Sequence, residues 1–262
     1  METLSQNLLL GAVQGLTEFL PISSSGHLVL IGELFKLPQE NFLFDAILHL
    51  ATLLAVVVYF YRPILGLITS PLARQNRRLL INLVWATIPA VLAGLLLRGM
   101  ISSFFEKPLY VAGLMILMGL LLLLMERFSK AKFTLAKLDF TKALGIGIAQ
   151  AAALLPGLSR LGMTLATGLF YGLKREEATY FSFLMALPVI LGAGLISLWR
   201  AWQERILSFD LSLWSNALAA FGVALLAIFF LMRYIKKGSL LPFALYLFLV
   251  GGGFIIYKLF FV

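Results

Sequence analysis

Residues 15–30, GLTEFLPISSSGHLVL, set a carboxylate, a proline, three serines and a histidine inside an otherwise apolar run. What surrounds this stretch decides how it folds. Of 262 residues, 61% are hydrophobic and 13% charged, which is more apolar surface than a soluble core of that length can bury. The composition is that of an integral membrane protein. Six uncharged runs have spanning length or close to it: Ala46–Tyr61, Leu79–Leu97, Leu109–Met125, Ala178–Trp199, Leu211–Met232 and Gly238–Tyr257. Charged residues or proline bound each run.

The formal charge of +9 raises a nucleic-acid partner as one reading. The positions of the charges oppose it, because they gather in a few interhelical loops and form no stripe; the partners expected are membrane lipids and no nucleic acid. The absence of cysteine leaves the redox compartment open. Arg62, Arg74, Arg77 and Arg78 stand together without an acidic neighbour, and Arg127, Lys130, Lys132, Lys137 and Lys142 outnumber Asp139. The positive-inside rule places both loops in the cytoplasm, and Arg233, Lys236 and Lys237 mark a third cytoplasmic loop. Arg200, Glu204, Arg205 and Asp210 cancel and suit the outside. The first basic residue is Lys36, so no basic leader precedes the apolar sequence, and both termini are expected outside.

Two apolar regions break this alternation. Met1–Asp45 must begin and end outside, and Ala143–Glu177 must begin and end inside. Both are predicted re-entrant hairpins, each with a proline near its middle, Pro21 or Pro156, and small polar residues after it. Irregular backbone survives at membrane depth only where protein or a wet cavity satisfies it, so the two tips are expected to meet. The whole, residues 1–262, is one integral membrane domain with all-α, polytopic architecture. Six transmembrane helices and two re-entrant hairpins form an inverted-topology repeat, with halves 1–130 and 140–262. Gln14 precedes Gly26 by the same interval that separates Gln150 from Gly162. Repeats of this kind, with broken helices, hold ligands at the repeat interface.

One of Ser23, Ser24 and Ser25 is a candidate N-cap, as is Ser159 in the second tip. Two helix N-termini and Arg160 converging in low dielectric suit a phosphate or similar anion, which the planar guanidinium binds bidentately. Glu18 and Arg160 are the charges placed deepest in the hairpins, as a structural pair or a functional one. His27 lies one helical turn from Ser24 and can reach that hydroxyl or the same phosphate. His49 is expected to make an interhelical hydrogen bond, and Gly251–Phe254 to allow close helix packing.

The segments QGLTEFLPISSSGHLVL (14–30), FDAILHLATLLAVVVYF (44–60) and PGLSRLGMTLATGLFYGLKREEATYFSFLMALPVILGAG (156–194) resemble the signature segments of the undecaprenyl-diphosphate phosphatase family, the bacitracin-resistance membrane phosphatases of bacteria. The resemblance runs the length of the chain. It implies hydrolysis of a polyprenyl diphosphate, undecaprenyl diphosphate, to the monophosphate carrier that serves peptidoglycan and other cell-wall polymers. It also implies a divalent cation, Mg²⁺ or Ca²⁺, and an active site facing outward in the bacterial inner membrane. Homodimerisation stays open.

Carried over by position, the family's acidic motif falls on Glu18, which is also the metal ligand implied. Its serine and histidine fall on Ser24 and His27, and its serine–arginine motif on Ser159 and Arg160, with Thr164 closing that segment. Ser23, Ser25, Gly26, Gly162 and Gln14 complete the expected substrate-binding set. Gln14 stands where the fullest form of the acidic motif begins with Glu, and Leu161 where the second motif has another serine. Two attacking groups are compatible with the residues: Ser24 with His27 as base, or His27 acting directly or through water. A transporter or flippase of polyprenyl phosphates is the competing function, since opposed hairpins also suit alternating access.

Overall fold

The computed structural model describes residues 4–36, 42–129, 131–205 and 211–261. Among them the chain is helical, without a β-strand. The elements are α1 (Leu4–Glu18), α2 (Ser24–Phe35), α3 (Phe42–Tyr59), α4 (Tyr61–Thr69), α5 (Arg74–Leu96), α6 (Arg98–Phe105) and α7 (Pro108–Phe128). A 3₁₀ turn at Leu135–Lys137 precedes α8 (Phe140–Ala152), α9 (Arg160–Phe170), α10 (Arg175–Gln203), α11 (Leu211–Tyr234) and α12 (Leu241–Phe261). Lys130, Asp210 and the first three residues, used above for orientation, lie outside the described residues.

Five helices, α5, α7, α10, α11 and α12, are long and apolar enough to cross a membrane, and α3 with α4 makes a sixth if the bent pair is one span. Each expected span falls on one of these helices. The added detail is at the ends: α5 starts at Arg74 and α10 continues to Gln203, because charged residues propagate a helix beyond its apolar run. By themselves α4, with 9 residues, and α6, with 8, are too short to span. After Phe60 the chain turns by 80° into α4. Phe60 fixes that corner by packing on Phe183 at 5.3 Å and Tyr180 at 5.5 Å, and Phe183 reaches Phe19 at 5.5 Å. Pro63 sits in the first turn of α4, where its missing N–H costs no hydrogen bond.

Burial is inverted relative to a soluble protein. Leu96, Leu249 and Phe260 are 78%, 74% and 77% exposed, while Gln14, Glu18, His27, Gln150, Ser159 and Thr164 are buried. A multi-pass membrane protein has this distribution, since lipid solvates the apolar exterior and cannot solvate polar groups.

The helices pair as α1 along α11, α8 along α5, α3 along α10 and α7 along α12. Glycine permits the closest approaches: a Cβ on Gly15 would lie 2.4 Å from the Ala220 carbonyl oxygen, and one on Gly147 2.5 Å from that of Ala86. Small residues are what let helices touch in lipid, where no hydrophobic force drives them together. Of the Gly251–Phe254 run, Gly251 is packed this way against Ala112, whereas a Cβ on Gly252 or Gly253 would meet nothing. Away from the hairpin tips, Glu126 at the end of α7 accepts from Arg175 at 2.7 Å, Ser239 at 3.1 Å and the Leu240 amide at 2.5 Å, tying α7, α10 and α12 together.

Leucine at Gly15 or Gly147 must push backbone aside, so each substitution is expected to cost about 1–3 kcal/mol or more. Thermal unfolding in detergent micelles measures this. Gly32→Leu, which faces open space, serves as the control and should melt with the parent.

Candidate functional site

Both expected hairpins are helix, break, helix. The first break covers residues 19–23 and contains Pro21; the second covers 153–159 and contains Pro156. Ser23 is the N-cap of α2, its hydroxyl accepting from Gly26 N at 3.2 Å, and Ser159 is the N-cap of α9, accepting from Gly162 N at 3.1 Å. The amides of Gly26 and Gly162 are therefore spent on caps. Those of Ser24, Ser25, Arg160 and Leu161 are the first-turn donors without intrahelical acceptors.

The two tips touch. A Cβ on Gly26 would stand 3.2 Å from Gly157 Cα, and the Ser159 hydroxyl donates to the Leu20 carbonyl at 3.4 Å. Gly157 turns the second tip at φ +102°, with a Cβ there only 2.5 Å from the Val111 carbonyl; only glycine fits.

At the junction lies one carboxylate. Arg160 Nη2 donates to Glu18 Oε1 at 2.8 Å, Ser24 Oγ to Oε2 at 2.6 Å, and Gln14 Nε2 to Oε2 at 3.1 Å. The side chains of Glu18 and Arg160 are 7% and 14% exposed. The remaining exposure opens on a cavity of about 160 Å³ whose lining includes Glu18, Ser24, Ser25, Ser159, Arg160 and His49. Arg160 and two helix N-termini bring positive charge to its wall, beside the one carboxylate of Glu18.

Not every expected residue faces this cavity. Thr164 donates to the Arg160 and Leu161 carbonyls, at 2.9 and 3.2 Å, within its own helix. The structure does not bring His27 to the Ser24 hydroxyl. A carbonyl only accepts, so His27 Nδ1–H donates to Ser23 O at 2.7 Å; in the neutral ring Nε2 then accepts from Tyr246 O–H at 2.8 Å. The imidazole stacks on Tyr246 and faces a separate apolar groove of about 330 Å³ between α2 and α12. Its bond to Ser23 has a use, because Ser23 sits at φ +71°, a conformation an L residue holds only when its surroundings impose it.

Sequence reasoning missed two residues. Tyr246 lies in an uncharged span, 219 residues from His27, with no local signal. The expected interhelical bond of His49 is corrected: its Nδ1 donates to Asp45 O at 2.8 Å, one turn back in the same helix, and the ring lines the cavity.

No group of three or more His, Cys, Asp or Glu that could hold a metal ion occurs among the described residues. The Gln14 Oε1 oxygen, however, is buried without a donor while the same amide bonds Glu18. An orphaned oxygen beside a carboxylate fits a hard cation that completes its shell with substrate phosphates.

Two broken helices bring a guanidinium, two capped N-termini and a hydroxyl round one buried carboxylate. A multi-pass membrane protein so built keeps a charged, polar site buried inside an apolar helical bundle. The family model described as bacitracin resistance protein BacA matches residues 7–253, and the chain belongs to that family. It is similar to the undecaprenyl-diphosphatase of Rubrobacter xylanophilus, at 41% identity over 95% of this chain and 96% of that protein. Those of Moorella thermoacetica and Caldicellulosiruptor bescii are 40% and 39% identical, covering 93% and 95% of this chain and 94% and 95% of their own lengths.

Tyr246→Phe leaves the buried His27 Nε2 without its donor and is expected to cost about 1–3 kcal/mol. A fall in melting temperature in detergent checks this; an unchanged melt would show that the bond contributes nothing.

Proposed function

We infer that this protein hydrolyses undecaprenyl diphosphate to undecaprenyl phosphate and phosphate. The family and its phosphatase-named relatives support the activity. The observation that carries the mechanism is the position of Glu18, shared between the Ser24 hydroxyl at 2.6 Å and the Arg160 guanidinium at 2.8 Å.

The terminal phosphate enters the cavity against Arg160 and the free N–H groups of Ser24, Ser25, Arg160 and Leu161. Ser24 Oγ attacks phosphorus as its proton passes to Glu18, the acceptor already in place. The bond from phosphorus to the bridging oxygen breaks, and lipid monophosphate leaves. Glu18 hands that proton to the departing lipid phosphate; water then attacks the phosphoserine as Glu18 takes a proton from it, the bond from phosphorus to Ser24 Oγ breaks, and Glu18 returns the proton to Ser24 as inorganic phosphate leaves. Arg160 and the helix ends neutralise the charge that builds on the phosphoryl oxygens, where most phosphoryl-transfer catalysis arises. A divalent cation, Mg²⁺ or Ca²⁺, held by Glu18 and Gln14 Oε1, would supply further neutralisation of those oxygens. His27 holds Ser23 in place and takes no proton from Ser24.

The finer topology belongs to the same reading: six spans, two re-entrant hairpins and inverted halves 1–130 and 140–262. The exchange of partners between halves, with α1 on α11 and α8 on α5, supports it. The loop charges support outside termini, and membership of a family of bacterial membrane phosphatases supports an outward-facing site and a bacterial inner-membrane location. No observation favours the transporter or flippase.

Arg160→Ala, purified folded, is expected to lose phosphate release by about a thousandfold or more; normal turnover would remove Arg160 from the site. Rapid-quench trapping should find phosphate on Ser24, and a labelled enzyme whose phosphate maps to another residue would replace Ser24 as the nucleophile. Gln14→Glu adds a second carboxylate and is expected to lower the Mg²⁺ concentration for half-maximal activity by about tenfold.

A further inference from the structure

His27 and His49 are the two imidazoles of the chain, and the structure separates them. Both ring nitrogens of His27 are engaged, and its open side is apolar. His49 has one nitrogen engaged. A carbonyl cannot donate, so the Asp45 contact at 2.8 Å puts a proton on Nδ1 and leaves Nε2 for whatever the ring meets. The ring meets the cavity of Glu18, Ser24 and Arg160, entering from α3, whereas those three residues come from α1, α2 and α9.

The other polar side chains of that wall are already engaged: Ser24 and Arg160 donate to Glu18, Thr17 to the Val13 carbonyl and Ser159 to that of Leu20, and Ser23 and Ser25 pair with each other at 3.5 Å. A phosphate group in the cavity would find positive charge on the α9 side. On the α3 side, His49 is the titratable group among lining residues that include Val189, Ile190 and Ala193. An anion of several charges held in low dielectric is bound tightly only if donors meet it from more than one side.

We propose that His49 Nε2 is a direct ligand of the substrate's phosphate, opposite Arg160. The hydrogen bond forms whether the shared proton sits on the ring or on a phosphate oxygen, so it does not depend on the charge state of His49. The Asp45 carbonyl fixes the ring's orientation, leaving little rotamer freedom to lose on binding. The role deepens the proposed function and rests on the reading that the cavity holds phosphate.

The test uses the full chain in detergent micelles, with a prenyl diphosphate as substrate and inorganic phosphate as competitive product. His49→Leu is expected to raise both KM and the inhibition constant of inorganic phosphate by about tenfold, the worth of one charge-assisted hydrogen bond, while kcat changes by less than about threefold. His49→Gln, whose amide can also donate or accept, is expected to recover most of the loss. Unchanged KM and inhibition constant in His49→Leu would overturn the proposal. Arg160→Ala, run alongside, tells the two failures apart. If it weakens phosphate binding and His49→Leu does not, His49 alone is removed; if neither does, the cavity itself is not the phosphate site. Should His49→Leu not purify folded, carbethoxylation of His49 by diethyl pyrocarbonate in the parent replaces it. Inorganic phosphate is expected to slow that reaction, and a rate unaffected by phosphate would overturn the assignment.

Discussion

The contact on which the molecule turns is the bond from Arg160 to Glu18, 2.8 Å long and 142 residues apart in sequence. Neither ion is tolerable alone in an apolar bundle, and deleting one partner of such a pair costs about 3–5 kcal/mol because the other stays behind unpaired. The two hairpin tips must therefore meet, and everything round them serves the meeting. Glycines at 26 and 157 let the backbones touch, and the Ser159 hydroxyl bonds across to Leu20. The same guanidinium is the cation a phosphate would seek. Under the proposed function, binding would share Arg160 between a resident carboxylate and a visiting anion, and would free Glu18 to accept a proton as that visitor draws the arginine toward it.

The two hairpins have one backbone plan and different chemistry. Adding 136 to Gln14, Ser23 and Gly26 gives Gln150, Ser159 and Gly162, so the caps and the buried amide recur. The same shift carries Glu18 to Leu154, Ser24 to Arg160 and His27 to Met163. The acid and the hydroxyl are in one copy and the guanidinium in the other. The amides differ in consequence: Gln14 bonds Glu18 at 3.1 Å, while Gln150 reaches the Ala86 carbonyl at 3.4 Å and takes no part in the cavity.

What the residues disclosed in advance follows from what is local. Apolar runs bounded by charge located the long helices, and proline followed by serine located both breaks and both caps. The Glu18–Arg160 pair was legible because a lone charge in lipid must find a partner. The corner at Phe60 was not, since it depends on Phe183 and Tyr180 from α10. Likewise the partner of His27 could not be read from spacing: one turn from Ser24 it had a near hydroxyl available, yet its ring turns to Tyr246 on the last helix. His49 looked like a packing histidine because only the assembled α1, α2, α3 and α9 put a cavity beside it.

The pairing of α1 with α11 bears on how the chain is made. The arm that carries Gln14 and Glu18 leaves the ribosome almost two hundred residues before the helix it rests on. At about 5–20 residues per second that is an interval of roughly ten to forty seconds. Through it, the hairpin lacks α11 to lie against, and for about the first 142 residues of it, the separation of Glu18 from Arg160, it also lacks the guanidinium that neutralises its acid. The packing of the N-terminal arm is then completed only when α11 has been made, and a chain truncated before α11 lacks the surface that α1 rests on.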